Sequence, residues 1–347
     1  TGRTSHAWLC KARSIQADPA LLSETDRCLY EALRIARDIS YGKDTPKQVF
    51  ALWDLAMHLA RTSRPDDRVR LDKAASLIQE SVEMSRAFPE KRTLTATVLS
   101  GQGECFRLQG NVAAAIASYE EAWDIYGQGD LQNEPRGHRA AMDLAEIHFA
   151  TSQHRLGHKL LNELELLCRE HEAWESLTEC LYLKGWGHLI REDYRSAYEC
   201  LSEAVRIAEK LPETSEAAAF SHFYMAQLLV AQHKLAEAQD HFQAVLSQTQ
   251  QYLPGSGAEF EIILFAHAWS LIHCNSSDDQ GRLSVALKVA QRGKTLAEAW
   301  HRPWKEPHFF LAMALAQEKL GDDDRAVKLL EEGLARSTQP FPSLHAY

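Results

Sequence analysis

The sequence predicts an all-α protein in which about eight helical hairpins stack side by side as an α-solenoid. The first observation is a small residue that recurs about every 41 residues, with one longer gap of about 48. The second is the apolar character of most positions four residues later, and the third is a polar turn inside each hairpin. The small positions are Ala32, Ala74, Ala115, Gly157, Ala197, Ala238, Ala286 and Ala326.

These small residues mark the second helix of each hairpin. Positions four and seven residues after each of them lie on the same helix face, so we expect all three to be buried. The residues four positions later are Ala36, Ile78, Tyr119, Leu161, Leu201, Phe242, Ala290 and Leu330. Those seven positions later are Ile39, Ser81, Ala122, Leu164, Ala204, Val245, Gly293 and Gly333.

The clearest hairpin is the stretch from Leu181 to Pro212. Its first helix passes through Gly185, a break follows at 191–193, and the second helix carries Ala197 and its partners on one face. Small residues at Gly185 and Ala197 allow two antiparallel helices to approach closely. The pattern predicts eight such hairpins in a single solenoid over 1–347. Their approximate ranges are 5–40, 46–88, 94–127, 136–171, 176–211, 216–252, 258–299 and 305–337.

The turns and the prolines agree with this division. Polar turns recur at 109–111, 192–193, 232–233 and 320–322, where Gly, Asn and Asp tolerate the required backbone. Proline follows several second helices, at Pro89, Pro212, Pro254 and Pro340, where it cannot continue a helix.

The first helices carry a small residue followed three positions later by a larger one, as in Gly103 with Phe106 and Ala145 with His148. This pattern resembles the tetratricopeptide repeat (TPR) family, most clearly over 99–211 and 310–336. The usual period of that family is about 34 residues, so a period near 41 indicates a long-helix variant with roughly two extra helical turns per hairpin. The resemblance implies a right-handed superhelix with a deep concave groove.

In that family the groove is lined by fixed positions of each first helix. Transferred to this sequence, they imply a binding groove with an apolar, aromatic middle, of the kind that marks interaction sites. The alternative for any one aromatic residue is burial against a neighbouring hairpin. The predicted groove residues are Arg139, Met142, Glu146, Phe149, Tyr182, Trp186, Leu189, Phe220, Phe223, Gln227 and Trp269. The same positions elsewhere include Thr97, Ser100, Glu104, Arg107, Glu179, Ile262, Phe265 and Ile272.

Composition limits the partners and the compartment. The chain has 38 Lys and Arg against 48 Asp and Glu, a net charge of −10, and no long basic cluster, so nucleic acid is disfavoured. The longest apolar stretch, 262–272, is shorter than the roughly 20 residues that span a bilayer, so no membrane span is expected. Seven scattered cysteines without a CxxC pair favour a reducing cytoplasm, and Cys105, Cys180 and Cys200 are expected in the core.

No catalytic or metal motif is complete. His171 lacks the second histidine of a zinc protease, and His154 with His158 has no third ligand at suitable spacing. A phosphate loop ending at Gly293 would need a glycine where Lys288 stands. No Asn occupies a groove position, so the carboxylate clamp of chaperone co-factors is absent too. We therefore predict no enzymatic activity, no cofactor and no metal.

Two functions fit these observations. The first is a non-enzymatic scaffold or adaptor that captures a peptide or helix of a partner protein in its groove. The second is the sensor arm of a larger signalling NTPase or transcription regulator, in which a protein or small-molecule trigger binds the groove. Residue 1 is Thr1 rather than methionine, which predicts that the sequence starts inside a longer protein and favours the second function.

Overall fold

The computed structural model describes residues 22–39, 45–63, 67–128, 131, 134–212, 215–249, 260–273, 279–299 and 306–336. These residues form helices joined by turns and contain no strand. Helices α1 to α8 are Leu22–Ile39, Pro46–Thr62, Arg68–Ser85, Arg92–Leu108, Val112–Tyr126, Pro135–Ala150, His154–Glu170 and Trp174–Ile190. Helices α9 to α15 are Tyr194–Ala208, Glu216–Ala231, Leu235–Thr249, Phe260–His273, Asp279–Ala299, Glu306–Lys319 and Asp323–Arg336. The predicted all-α fold is confirmed.

The described chain divides into two compact units, and the boundary falls inside α10, between Ser221 and His222. Unit 1 contains α1 to α9 and the start of α10, and unit 2 contains the rest. The first helix of the first predicted hairpin, together with Pro254 and Pro340, lies outside the described residues. The single solenoid over 1–347 and its right-handed twist stay predictions.

Within unit 1, consecutive helices pack on each other, and first helices also pack on the first helix of the next hairpin, as α4 does on α6 and α6 on α8. This nearest-neighbour packing is typical of a solenoid, whose hairpins contact only adjacent ones. The core of unit 2 is built by α12, α13 and α14 around Leu264, Ala286, Phe309 and Phe310.

The predicted buried face of the second helices is confirmed at the small positions, all eight of which are buried. Four residues later, Ile78, Tyr119, Leu161 and Leu201 are also buried. The predicted burial is wrong at Leu330, which is 38% exposed. It lies on α15, the last described helix, and no further described hairpin covers that helix.

The hairpin turns share one backbone conformation. The second residue after the end of the first helix has a positive φ at Gly110, Ser152, Glu192, His233 and Gly321. In each turn the next backbone N–H donates to a carbonyl five residues earlier, for example from Asp193 to His188 at 3.0 Å. This arrangement satisfies carbonyl groups left open at the end of a helix. The predicted turns at 109–111, 192–193, 232–233 and 320–322 are confirmed.

The residue after the positive-φ position often begins the second helix. Asn111, Asp193 and Asp322 each accept a hydrogen bond on a side-chain oxygen from a backbone N–H three residues later. These N-caps satisfy one of the donors that every helix start leaves open. One turn therefore ends the first helix and starts the second, which fixes the antiparallel pairing.

Across the described residues, no helix is both long enough and apolar enough to pass through a lipid bilayer.

Candidate binding surface on the first helices

Charged side chains bridge successive first helices of unit 1. Arg61 on α2 makes two hydrogen bonds to the Glu104 carboxylate on α4, each 2.8 Å long. On α6, the Nε of Arg139 donates to Asp143 at 3.0 Å, and a second nitrogen lies 3.7 Å from Glu179 on α8. We call the side of α2, α4, α6, α8 and early α10 that carries these residues the first-helix face.

The pKa values of the three carboxylates in these ion pairs are shifted in different directions. Burial raises the pKa of Glu104, but the hydrogen bonds from Arg61 outweigh it and leave the pKa below its usual value. Burial dominates at Asp143, where Arg139 compensates only in part, so that pKa is raised. Burial, with Glu175, Glu216 and Asp143 nearby, raises the pKa of Glu179 to about 7 despite Arg139. Glu179 is therefore partly protonated at neutral pH.

A buried tyrosine on α5 packs against α4, one of the helices that carry this face. Tyr119 is fully buried, and its ring lies against Gly103 on α4, where an added Cβ would be 2.7 Å from two ring carbons. Burial, with Asp143 and Glu104 nearby, raises the pKa of the Tyr119 hydroxyl, which stays protonated. Its oxygen has no hydrogen-bond partner among the described residues.

Four charged residues act on the pKa of the Tyr119 hydroxyl, and we call Glu104, Arg107, Asp143 and Glu146 the charged cluster. Arg107 is exposed, and its guanidinium forms no hydrogen bond or ion pair with the part of the chain that the structure describes. Burial lowers the pKa of Arg107, but Tyr119 and the three carboxylates together raise it. Two of its three acidic groups, Glu104 and Asp143, are paired with Arg61 and Arg139, and Arg107 adds a third guanidinium.

Further along the face, aromatic residues pack in two pairs. The half-buried Trp186 meets Phe149 edge to face, with ring centroids 5.8 Å apart. The half-buried Phe220 lies 5.9 Å from the buried ring of Tyr182. In each pair the accessible ring rests on a buried one, which holds it in place.

No protein-family model matches the chain, and no curated protein matches its sequence. Similar solved structures include a signal transduction ATPase with numerous domains (STAND) from Pyrococcus horikoshii, which has a tetratricopeptide repeat sensor. The two chains are 14% identical with a TM-score of 0.56, over 91% of this chain and 44% of that one.

Two further structures have related folds. Aspartyl phosphate phosphatase F from Bacillus subtilis is 12% identical, with a TM-score of 0.54 over 87% of this chain and 74% of that one. A Rap protein complexed with Competence and Sporulation Factor is 12% identical, with a TM-score of 0.51 over 97% and 98%. The chain has a TPR-like fold. At these identities the likeness is one of fold.

The TPR-like fold brings together most of the predicted groove residues that belong to unit 1. The accessible ones lie on the first-helix face and remain candidates for partner contact. They are Arg139, Glu146, Trp186, Leu189 and Phe220. Phe223, Gln227 and Trp269 belong to unit 2.

The structure corrects the prediction for four of the groove residues. Met142, Phe149, Tyr182 and Phe223 are buried in their own units, so they support the surface rather than line it. Phe149, 2% exposed, shows the reason. Glycines of two other helices leave space for its ring, since a Cβ at Gly157 or Gly187 would lie 2.6 or 2.5 Å from it.

Sequence reasoning missed the most organised part of the site. Arg61, Asp143 and Tyr119 were not among the predicted groove residues, although Glu104, Arg107 and Glu179 were placed at groove positions. The available signal was the pairing of Gly103 with Tyr119, a small residue on the first helix facing a large one on the second.

Neither thiol chemistry nor a metal centre is evident in the described chain. Cys105 and Cys180 are buried, as predicted, and Cys200 is half-buried. Burial raises the pKa of Cys105 and of Cys168 to about 12, so both stay as thiols. Where the chain is described, no group of three His, Cys, Asp or Glu residues could hold a metal ion.

Proposed function

We propose that this protein is a non-enzymatic adaptor that binds a segment of a partner protein on the first-helix face of unit 1. The observation that carries this proposal is the succession of accessible charges on α2, α4 and α6 and accessible aromatic rings on α8 and early α10. Solenoids of helical hairpins use the concave face formed by such helices as an extended binding surface.

Apolar contact would supply most of the affinity. Trp186, Leu189 and Phe220 are half-buried. Trp186 and Phe220 also pack on buried rings, so little conformational freedom is lost when a partner covers them. Trp is one of the residue types enriched among those that dominate binding energies. The charges of Arg107 and Arg139 would select and orient the partner.

The fold supports a binding role. The Rap protein of similar fold was crystallised in complex with Competence and Sporulation Factor. The protonated Cys105 and Cys168 are poor nucleophiles, which favours binding over catalysis. The free cysteines of the described chain fit a reducing compartment, and we place the protein in the cytoplasm.

The test is a quantitative capture experiment with the immobilised full chain. The variant Trp186→Ala/Phe220→Ala removes both accessible rings of the first-helix face. The matched control, Leu166→Ala/Tyr198→Ala, removes two exposed apolar side chains from second helices, which are 69% and 48% exposed. A partner held by wild type and by the control should bind the first variant about 30-fold more weakly.

The opposite pattern would contradict the proposal. A partner that binds the first variant as tightly as wild type, but is lost by the control, uses the second helices. Circular dichroism melts of all three proteins show whether a loss of binding reflects a loss of folding.

A sensor arm is the second candidate, and one observation favours it. The similar STAND protein is described as having a TPR sensor, and this chain covers 44% of that longer chain. If the full-length gene product carries an NTPase domain beside this segment, covering the first-helix face should change its NTPase rate. The variant Trp186→Ala/Phe220→Ala would then abolish the response to the trigger, whether that is a protein or a small molecule. A full-length product without such a domain would exclude this candidate.

A further inference from the structure

Two histidines of neighbouring hairpins are in contact next to the ring that supports Trp186. His158 on α7 and His188 on α8 have ring centroids 4.2 Å apart. The His158 ring also lies 4.9 Å from the buried ring of Phe149, which in turn meets Trp186 edge to face. The contact between the two histidines therefore belongs to the packing behind an accessible ring of the first-helix face.

The surroundings of His158 suit a neutral ring. Its Nε2 atom is buried and has no hydrogen-bond partner among the residues that the structure describes. A neutral imidazole carries a proton on only one of its ring nitrogens, whereas the protonated ring donates from both. Protonation of His158 would therefore leave Nε2 as a buried donor, in a charged ring, without an acceptor, which is unfavourable.

The charged groups that act on His158 most strongly are basic. They are His154 on α7 itself, Lys184 and His188 on α8, and Arg191 in the turn after α8. Lys184 is paired with Glu165 on α7, which offsets part of its charge. On α6 the group in contact with His158 is the uncharged ring of Phe149. A proton on His158 is thus opposed by positive charge as well as by burial.

The acid beside the pair, Asp193, acts mainly on His188. Its Oδ2 lies 3.3 Å from Nδ1 of His188, but the side chain is 44% exposed and its Oδ1 caps α9. Burial, followed by His188 and the nearby cations, lowers the pKa of His158 from 6.5 to about 4. Burial also lowers the pKa of His188, despite Asp193. The contact of the two rings is therefore fully stabilising above about pH 6.5 and is lost as the pH falls towards 4.

We propose that the contact between His158 and His188 is an acid-sensitive switch, which packs α7 on α8 at neutral pH and loosens this junction, with the Trp186 ring, as the pH falls. Protonation of both rings would place two like charges with centroids 4.2 Å apart, which adds repulsion to the cost of burial. The functional step rests on the proposed function, because Trp186 belongs to the surface that binds the partner. The partner is expected to be held at neutral pH and released near pH 5.

The first test compares the urea unfolding of wild type and His158→Gln at pH 7 and pH 5. Between these pH values the folding equilibrium constant should fall about ten-fold more in wild type, because glutamine takes up no proton. That figure allows for solvent screening of a half-buried ring. The matched control is His171→Gln, which removes an exposed histidine at the C-terminal end of α7. It should lose at least as much as wild type, since a protonated histidine at that end is favourable.

The second test observes the Trp186 ring without any partner. In protein labelled with 5-fluorotryptophan, the ¹⁹F signal of Trp186 is the one of eight tryptophan signals that Trp186→Phe lacks. This signal should shift or broaden between pH 7 and pH 5 in wild type and change much less in His158→Gln. If His158→Gln does not fold, His188→Gln takes its place in both tests with the same expected results.

The third test measures partner capture. A partner held by wild type at pH 7 should bind about ten-fold more weakly at pH 5, and His158→Gln should reduce this loss to about two-fold or less. Equal losses of binding in the two proteins would overturn the release step.

Two further results would overturn the switch itself. They are an equal loss of stability in wild type and His158→Gln between pH 7 and pH 5, and a Trp186 signal that does not respond to pH. Neither affects the capture experiment with Trp186→Ala/Phe220→Ala at neutral pH. The unfolding and ¹⁹F measurements need no partner, so the adaptor function and the switch can fail separately.

Discussion

Gly103 and Tyr119 are in direct contact across one hairpin, and a Cβ atom on Gly103 would lie 2.7 Å from the Tyr119 ring. Only the Tyr119 ring could move to make room for that Cβ atom, and the ring is fully buried. This glycine therefore determines both the spacing of α4 and α5 and the position of the phenol oxygen.

Gly103→Ala should lower the free energy of unfolding by about 1 to 3 kcal/mol, because overpacking outweighs the better helix propensity of alanine. Urea denaturation measures the change. Gly127→Ala is the matched control in the same hairpin, where the nearest atom to the new Cβ is 3.4 Å away, and it should be neutral or slightly stabilising. Equal effects of the two variants would contradict the packing described here.

Ala197→Arg should destabilise the protein by about 2 to 4 kcal/mol, since Ala197 is fully buried and an arginine there would be overpacked and unpaired. Tyr198→Arg places the same charge on the adjacent exposed position and should change stability by less than about 0.5 kcal/mol. Thermal melts compare the two. An Ala197→Arg variant that melts with wild type would refute the register of this hairpin.

Ser152→Gly and Glu192→Gly should each stabilise the protein by about 1 kcal/mol. Both residues have φ near +60°, a conformation that costs side chains with a Cβ but not glycine. Gly110→Ala, with φ +77°, should have the opposite sign. The urea midpoints of the three variants give the test. A loss of stability in both glycine variants would show that their side chains contribute more than the strain costs.

Glu179→Gln should stabilise the protein at pH 8 by up to about 3 kcal/mol and leave it nearly unchanged at pH 4.5. The folded pKa of Glu179, about 7, lies above its unfolded value of 4.5. Its contribution to stability is therefore fully present below about pH 4.5 and is lost as the pH rises through about 7.

The measurement is the difference in unfolding free energy between wild type and Glu179→Gln across this pH range. Taking the difference removes contributions from groups that do not interact with Glu179. Glu120→Gln, which removes an exposed carboxylate, is measured in parallel. A constant difference between pH 4.5 and pH 8 would mean that Glu179 is ionised throughout.

The repeat pattern predicted the second helices well, because spacing within one helix decides which side chains share a face. Ala197, Leu201 and Ala204 lie on one face whatever the neighbouring hairpin does. Leu330 follows the same spacing and is exposed, because its burial depends on a further hairpin packing on α15.

The candidate site was less predictable, because it depends on contacts between hairpins. Phe149 occupies a groove position by spacing, and only the glycines at Gly157 and Gly187, on other helices, let its ring turn inward. The bridge from Arg61 to Glu104 likewise joins residues 43 positions apart. The repeat period places two such residues on adjacent hairpins but does not say which side chains meet.

The turn of each hairpin has a consequence for how the chain can change during evolution. In the turn at Glu192 and Asp193, local hydrogen bonds close the end of α8 and the start of α9 without help from other hairpins. A gene duplication or deletion of one whole hairpin would therefore leave no backbone group unpaired at its turn. Only the side chains on the two hairpin faces that newly come into contact would have to fit each other. The number of hairpins can therefore change more readily than the sequence of the turn inside each hairpin.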